Sequence, residues 1–221
     1  MSRIADRYGI EYVLGETNSI SCQSRDLVSN VFGTALWYLD YTLYIASSTQ
    51  VAKMYFHQGT PYRYSLWAPY IGASSNSALV RPSYYGALML ATVLGGNGSK
   101  KQVHPVLEEE ISTAYSPYAD GELDSLVILN NEPYNVSLST PRPEAEITLP
   151  ARIKVPGKIR RLTVPGSDVK DGMTFAGQKV DESGKITGDE VVEDWTPGDV
   201  VKVQDSEGVL IAFGKRAIPP R

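Results

Sequence analysis

The chain has 221 residues, enough for one large domain or two small ones, and its 42% hydrophobic and 21% charged residues are ordinary for a globular protein. Its net charge of −4 gives no basis for binding nucleic acid or an anionic membrane. No stretch approaches the roughly 18 uninterrupted apolar residues of a membrane span. We therefore expect neither nucleic acid nor a membrane as a partner.

The single cysteine, Cys22, excludes an intrachain disulfide. Because Cys22 follows an expected strand, it is a candidate nucleophile. No base stands beside it in sequence, and a buried thiol is the simpler interpretation. The first eight residues lack the apolar region of a secretory leader.

Residues 10–57 predict a strand, a helix and a second strand. The apolar run Ile10 to Leu14 suits a buried parallel strand and leads into Glu16. From Val28 to Ala46, apolar side chains recur at steps of three and four residues, which is typical of a helix that buries one face. The run Val51 to Phe56 predicts the second strand, which ends at His57.

Two further features complete the first hundred residues. Asp26 or Ser29 can cap the first long helix. The segment 57–78 is rich in Gly, Pro, Tyr and Ser, and connections of this length are usually functional or disordered; its aromatic residues argue against disorder. Pro82 then opens a helix over Ser83 to Leu94, which stops at two glycines.

From about residue 101 the pattern changes to short runs of alternating polarity separated by turns, as in antiparallel β-structure. The runs are Ile111–Ser116, Ser125–Leu129, Glu146–Leu149, Lys158–Val164, Val200–Gln204 and Val209–Phe213. The last two predict a hairpin over Val200–Phe213. We therefore predict an α/β region, residues 1–97, followed by an antiparallel β-sandwich domain, residues 98–221.

Glu16 and His57 each follow one of the two predicted parallel strands. In parallel α/β architectures, ligands and chemistry lie at the carboxyl ends of the strands. Neighbouring strands lie about 4.8 Å apart, so the two side chains would be close together. A structural interpretation remains open, in which Glu16 caps a turn or pairs with Arg25 and His57 makes a structural hydrogen bond. No cluster has metal-ligand spacing, and no glycine-rich phosphate loop is present.

Several segments together resemble glycoside hydrolase family 79, which contains β-glucuronidases and heparanases. Those near the candidate site are Gly15–Ser19, the helix Val28–Tyr41 and Phe56–Gly59; those in the β-domain are Arg160–Thr163 and Asp171–Gln178. The resemblance extends over the whole chain, and its front motif is the more specific part.

This resemblance implies a fold and an activity. The fold is α/β plus all-β: residues 1–97 are the last two βα units of a (β/α)₈ barrel, and a β-sandwich follows. A closed barrel needs about 200 residues or more, so this one is partial. The implied activity is that of a retaining β-glucuronidase on uronic-acid-containing glycans, with no cofactor and no metal.

The resemblance also implies roles for single residues. Glu16 matches the nucleophile at the end of barrel strand seven. His57 matches a histidine that follows strand eight near the sugar. Tyr64 is the candidate for hydrogen bonding to the uronate carboxylate, and Tyr62 is the near alternative.

The loop after Glu16 departs from the family pattern. Family members often carry glycines there, and the backbone of those glycines meets the uronate carboxylate. Here the loop reads Ser21-Cys22-Gln23-Ser24-Arg25, without glycine. Arg25 could act as a substitute counter-ion.

The acid/base carboxylate is missing from the expected place. In the family it precedes the nucleophile in an Asn-Glu pair, whereas only fifteen residues precede Glu16. The one Asn-Glu-Pro, Asn131–Pro133, comes over a hundred residues later, and a β-turn at 130–133 explains it without chemistry. We therefore expect the chain to be inactive alone and to need an upstream barrel segment or chain.

A non-catalytic function remains the alternative. The chain could be a β-sandwich module that binds carbohydrate or protein through exposed apolar surface. Full-length members of the family work outside the cell, which is the localisation that the resemblance implies.

Overall fold

A computed structural model of the chain describes residues 2–48, 50–59, 62–68, 79–95, 98–138 and 140–214. Within those residues the helices are α1 (Ser2–Arg7), α2 (Gly33–Ser48) and α3 (Pro82–Leu94). The strands are β1 (Tyr12–Thr17), β2 (Val51–Phe56), β3 (Trp67–Ala68), β4 (Leu79–Val80), β5 (Lys101–Glu108), β6 (Ser112–Ala119), β7 (Glu122–Leu123), β8 (Ser125–Asn130), β9 (Glu144–Thr148), β10 (Gly157–Thr163), β11 (Thr174–Phe175), β12 (Lys179–Val180), β13 (Ile186–Thr187), β14 (Glu193–Trp195), β15 (Val200–Gln204) and β16 (Glu207–Phe213). None of the described helices is both long and apolar enough to cross a bilayer.

The predicted strand–helix–strand unit is present. Strands β1 and β2 pair in parallel, with Tyr12 opposite Val51 and Thr17 opposite Phe56. Helix α2 connects them. Strand β1 starts two residues later than the sequence indicates and continues through Glu16. Glu16 therefore lies within the strand rather than in the loop that follows it. Strand β2 and helix α3 have the predicted bounds within one residue.

Helix α2 begins later than its apolar pattern, and neither predicted cap is used. Asp26 instead accepts a hydrogen bond from Asn30 and forms an ion pair with Lys170 at 2.8 Å. The hydroxyl of Ser29 accepts a hydrogen bond from Ser19. The polar side chains that precede α2 therefore hold the incoming loop, because tertiary partners compete for them with the helix terminus.

An eight-stranded sheet dominates the rest of the chain. Its main path runs β11–β10–β16–β8–β6–β5, with β14 on β10 and β7 on β6. Strand β5 is absent from the sequence-based prediction, because its Pro105 and exposed charges obscure the alternation. It forms one edge of the sheet and pairs antiparallel with β6.

Both faces of this sheet are covered. Helices α2 and α3 pack on one face, and their buried side chains form one core with Tyr115, Val127 and Leu210 of the sheet. The antiparallel pair β9–β15 covers the other face, where Ile128 and Ile211 are buried. Strand β8 is therefore buried along its whole length, which explains why it reads as continuously apolar.

The predicted hairpin over Val200–Phe213 is wrong. Strand β15 pairs with β9, whereas β16 lies between β10 and β8 in the large sheet. The turn at Asp205 and Ser206 therefore carries the chain from one layer to the other. Arg142 holds this turn by donating hydrogen bonds to both of its carbonyl oxygens. Local alternation predicts strands but not their partners, and the two strands bury different numbers of faces.

A buried polar cluster ties α2 to the large sheet. Asp40, partly buried on α2, accepts hydrogen bonds from Thr113 Oγ1 and from the Tyr115 hydroxyl, both at 2.7 Å. The Asp40 carboxylate therefore has a structural role. Burial raises the pKa of Tyr115, and its hydrogen bond to Asp40 raises that pKa further.

Close packing of α2 on α3 depends on Gly86. A Cβ atom at this position would lie 2.4 Å from the Ala35 carbonyl oxygen. We expect Gly86→Ala to lower the free energy of unfolding by about 1–3 kcal/mol, although alanine is the better helix former by about 1 kcal/mol. Chemical denaturation measures this change. Gly33→Ala is the matched control, since its Cβ meets the nearest atom at 3.7 Å, and equal stability of the two variants would contradict the prediction.

The raised pKa of Tyr115 predicts a loss of stability at alkaline pH. Above pH about 10 the unfolded tyrosine ionises while the folded one stays neutral, so the unfolded state binds fewer protons and stability falls as pH rises. The expected slope is about 1.4 kcal/mol per pH unit for each such tyrosine. Urea unfolding at several pH values from 8 to 11 measures it. Tyr115→Phe should reduce this slope by the contribution of about one proton. An unchanged slope would show that Tyr115 ionises in the folded state as it does in the unfolded state.

Candidate active site

The carboxyl ends of β1 and β2 are joined by two hydrogen bonds. The His57 N–H donates to the Thr17 carbonyl at 3.0 Å, and the Asn18 side-chain amide donates to the His57 carbonyl at 2.9 Å. The Thr17 hydroxyl lies 3.2 Å from the Tyr41 hydroxyl on α2. These contacts fix where the side chains of Glu16 and His57 emerge.

His57 Nδ1 lies between the two polar groups that the sequence places nearby. It is 3.3 Å from Glu16 Oε1 and 2.8 Å from the Tyr64 hydroxyl. The Glu16 side chain is 73% exposed, so its other carboxylate oxygen is open to an approaching molecule. The structure therefore brings Glu16, His57 and Tyr64 together, and Glu16 has His57 rather than Arg25 as its partner.

The aromatic wall of this site consists of Tyr62 and Tyr64. The Tyr62 ring centre lies 5.1 Å from that of His57 and 5.5 Å from that of Tyr64. Tyr64 is buried, and burial is the main cause that raises the pKa of its hydroxyl; the neighbouring Tyr62 and Glu16 add to the effect. The Tyr64 hydroxyl therefore stays a neutral hydrogen-bonding group to a higher pH than a free tyrosine.

The turn that carries the two tyrosines is held by Ser65. Its fully buried hydroxyl donates to the carbonyl oxygens of Gly59 and Tyr62. The Gln58 side chain accepts from the Leu66 N–H at 2.8 Å. Gly59 is required because a Cβ there would lie 2.4 Å from the Tyr62 ring. Sequence reasoning missed Ser65 and Gly59; the small residues flanking the tyrosines were the only signal.

The loop between Glu16 and α2 has a backbone that glycine would favour. Cys22, Gln23 and Ser24 have φ values of 57°, 68° and 87°. This left-handed run occurs where the family often has glycines, and it costs backbone strain that the loop's contacts must offset. The Ser24 hydroxyl accepts a hydrogen bond from the Arg63 N–H, which joins this loop to the tyrosine turn.

The sequence-based predictions for Cys22 and Arg25, both in this loop, can be compared with the structure. Cys22 is an exposed free thiol, so its interpretation as a buried thiol is wrong. Cys22 lies in the left-handed part of the loop, with neighbours on both sides that are exposed as well. Arg25 is exposed, and within the described residues no ion pair joins its guanidinium to a carboxylate. Its role as a counter-ion therefore stays a prediction.

The Asn-Glu-Pro segment is held by hydrogen bonds to side chains of the β-rich part. The Glu132 N–H donates to Asn130 Oδ1, and the Glu132 carbonyl accepts from the Ser206 hydroxyl. Asn131 and Pro133 line a groove beside Trp37 of α2. Within the described residues, none of the hydrogen bonds of Glu132 involves Glu16, His57 or Tyr64.

Comparison with known proteins identifies similar chains. The model of the glycosyl hydrolase family 79 C-terminal beta domain matches residues 114–210. A β-glucuronidase of Aspergillus niger is 32% identical over 181 residues, which cover 76% of this chain and 33% of that protein. A β-glucuronidase of Neurospora crassa is 32% identical over 197 residues, which cover 75% of this chain and 35% of that protein.

Solved structures extend the likeness to nearly the whole chain. A 4-O-α-L-rhamnosyl-β-D-glucuronidase from Fusarium oxysporum superposes with a TM-score of 0.81 at 26% identity, covering 96% of this chain and 45% of that one. A family 51 α-L-arabinofuranosidase from Thermotoga petrophila has a TM-score of 0.55 at 10% identity, covering 95% and 44%, and shares the fold alone. The chain spans about a third of the length of the two fungal β-glucuronidases.

The packing of Gly59 against Tyr62 predicts a measurable change at His57. In Gly59→Ala the Tyr62 ring must move, so its ring-current effect on the His57 ring protons must change. The chain has only two histidines, so proton NMR resolves both, and the His104 signal is an internal reference. Gly15→Ala is the matched control, because its Cβ meets no atom within 4 Å. An unmoved His57 signal in Gly59→Ala would contradict the packing.

Proposed function

Because the chain belongs to glycoside hydrolase family 79, whose C-terminal beta domain it carries at residues 114–210, we propose that it is the C-terminal part of a retaining β-glucuronidase-like enzyme. Its substrates are uronic-acid-containing glycans. The observation that supports this most directly is the contact of His57 Nδ1 with both Glu16 and Tyr64 at the ends of two paired parallel strands. The names of the two fungal relatives agree with this activity.

Glu16 is the proposed nucleophile. In a retaining mechanism one carboxylate attacks the anomeric carbon, forms a glycosyl ester and is released when water attacks the same carbon. The exposure of the Glu16 carboxylate is consistent with this role, because the attacking oxygen needs an open approach. His57 contacts Oε1 of Glu16, and its proposed role is to orient the carboxylate so that Oε2 is left for the attack.

The residues around Glu16 are the proposed sugar contacts. A neutral Tyr64 hydroxyl donates a hydrogen bond to the uronate carboxylate, and its raised pKa keeps it protonated for this purpose. Tyr62 stands beside it as the alternative donor and as an aromatic surface against the sugar ring. Arg25, exposed on the loop after Glu16, is the proposed counter-ion of the uronate.

We propose that the second carboxyl group of the mechanism comes from outside this chain. Retaining enzymes place it about 5–5.5 Å from the nucleophile, where it protonates the leaving oxygen. Two acidic residues near Glu16 in sequence have other partners: Glu11 forms an ion pair with Lys53, and Asp26 forms one with Lys170. We therefore propose that the chain alone is inactive, because general acid catalysis is missing.

The missing group implies a partner, for which we propose a preceding barrel segment, either on the same polypeptide or as a separate chain. Residues 1–97 are then the last two βα units of a (β/α)₈ barrel, and residues 98–221 are a β-sandwich. Among the described residues β1 and β2 form a two-stranded parallel sheet, which further parallel strands would extend. The proposed working place is extracellular, as for full-length members of the family.

A groove beside α2 supports such a partner. It encloses about 640 Å³ and is lined by Trp37, Asp40 and the exposed apolar side chains of Leu27 and Val28. Contiguous apolar surface of this kind is typical of a protein interface. The same groove is the basis of the alternative function, in which the chain is a non-catalytic binding module.

Restoring the missing portion tests the proposal. We expect the chain alone to hydrolyse no 4-nitrophenyl β-D-glucuronide, and a fusion to the N-terminal portion of the Aspergillus niger β-glucuronidase to hydrolyse it. In the fusion, Glu16→Gln should lower kcat by about three orders of magnitude or more, because the nucleophile is lost. Release of nitrophenol measures each rate.

Glu11→Gln is the matched control, since it removes a nearby carboxylate that is paired with Lys53. Gel filtration and circular dichroism show whether each fusion is folded. Hydrolysis by the chain alone would overturn the proposed inactivity. Activity of a folded fusion that survives Glu16→Gln would overturn the role of Glu16.

A further inference from the structure

The β-rich part contains an apolar cavity of its own. It encloses about 180 Å³ between the β5 edge of the large sheet and the β9 edge of the two-stranded sheet. The turn after β9, residues 149–153, closes one end. None of the residues that line it belongs to the first hundred residues of the chain, so it is separate from Glu16 and His57.

The lining of this cavity is mainly aliphatic. Its walls include the buried side chains of Leu123, Leu126, Ile128, Leu149 and Ile153. Of its few hydroxyl groups, that of Ser116 already donates to the His104 carbonyl. Such a lining offers water few hydrogen-bonding partners, and an engineered apolar cavity of about 150 Å³ in another protein stays dry and takes up benzene. A six-carbon apolar group is therefore the right size for this cavity.

A positively charged side chain lines the cavity. Among the described residues that line it, Arg152 alone is charged, and it is exposed. Within the described residues, no carboxylate lies within ion-pair distance of its guanidinium, and the neighbouring Glu144 and Glu146 bind Lys202 instead. The guanidinium is therefore free to pair with an anionic group on a molecule whose apolar part fills the cavity.

We propose that this cavity binds a small amphipathic anion, with an aliphatic or aryl group of about six carbons inside and a carboxylate on Arg152. A sugar does not fit this chemistry, because its hydroxyl groups would lose their hydrogen bonds among aliphatic side chains. A purely apolar ligand would leave the Arg152 guanidinium without an anionic partner. The ligand class follows from the match of volume, lining and charge, and it does not depend on the function proposed for Glu16.

Hexanoate and hexan-1-ol are matched probes for this site. Titration of the full chain, followed by NMR of the methyl groups of Leu123, Ile147 and Ile153, should show saturable shifts with both. Hexanoate should bind about fivefold more tightly, which is the contribution of one exposed ion pair. Arg152→Gln should remove this preference, and Lys154→Gln, which neutralises a nearby exposed cation outside the lining, should leave it unchanged.

Filling the cavity tests its location. Ala114→Leu adds three carbons to the wall and should weaken both probes at least about tenfold, by removing the volume that they occupy. If circular dichroism shows that this variant is unfolded, Leu123→Phe provides the same test. No saturable methyl shift in the wild-type chain, equal binding of the two probes, or an unchanged preference in Arg152→Gln would each overturn the proposal.

Discussion

The packing of α2 against the large sheet is the constraint on which the geometry of the Glu16 and His57 site depends. The helix buries one side against the sheet, and Asp40 fixes its position by accepting hydrogen bonds from Thr113 and Tyr115. The same helix connects β1 to β2 and contacts Thr17 through Tyr41. A shift of α2 would therefore move the strand ends that carry Glu16 and His57. The β-rich part therefore influences the geometry of the site through the position of α2.

The site itself is assembled from three short segments that hold one another. The strand ends are joined backbone to backbone, the tyrosine turn is closed by Ser65, and the loop after Glu16 is tied to that turn through Ser24. His57 contacts the Glu16 carboxylate and both tyrosines. These contacts hold the side chains of Glu16, His57 and Tyr64 in one arrangement, which is the pre-organisation that the proposed nucleophile needs.

The groove beside α2 and the cavity between β5 and β9 differ in chemistry. The groove beside α2 is large and flanked by exposed apolar side chains such as Leu27, which suits a folded protein segment. The cavity between β5 and β9 is small, aliphatic and marked by the single charge of Arg152, which suits a small amphiphile. The groove is consistent with a chain that spans about a third of its fungal relatives' length. The cavity lies within the matched beta domain and its flanking strands.

By itself the sequence determined the local elements: the parallel strand pair, both long helices, the β-rich second half, and the approach of Glu16 to His57, because apolar periodicity and strand-end position are local properties of a chain. Only the tertiary structure decided which strands pair, since β15 and β16 look like a hairpin but bury different faces. It also decided that the polar residues before α2 bind distant partners and that Cys22 is exposed. The physical reason is the same in each case. Periodicity records how many faces an element buries, but which surface covers each face depends on residues far away in the sequence.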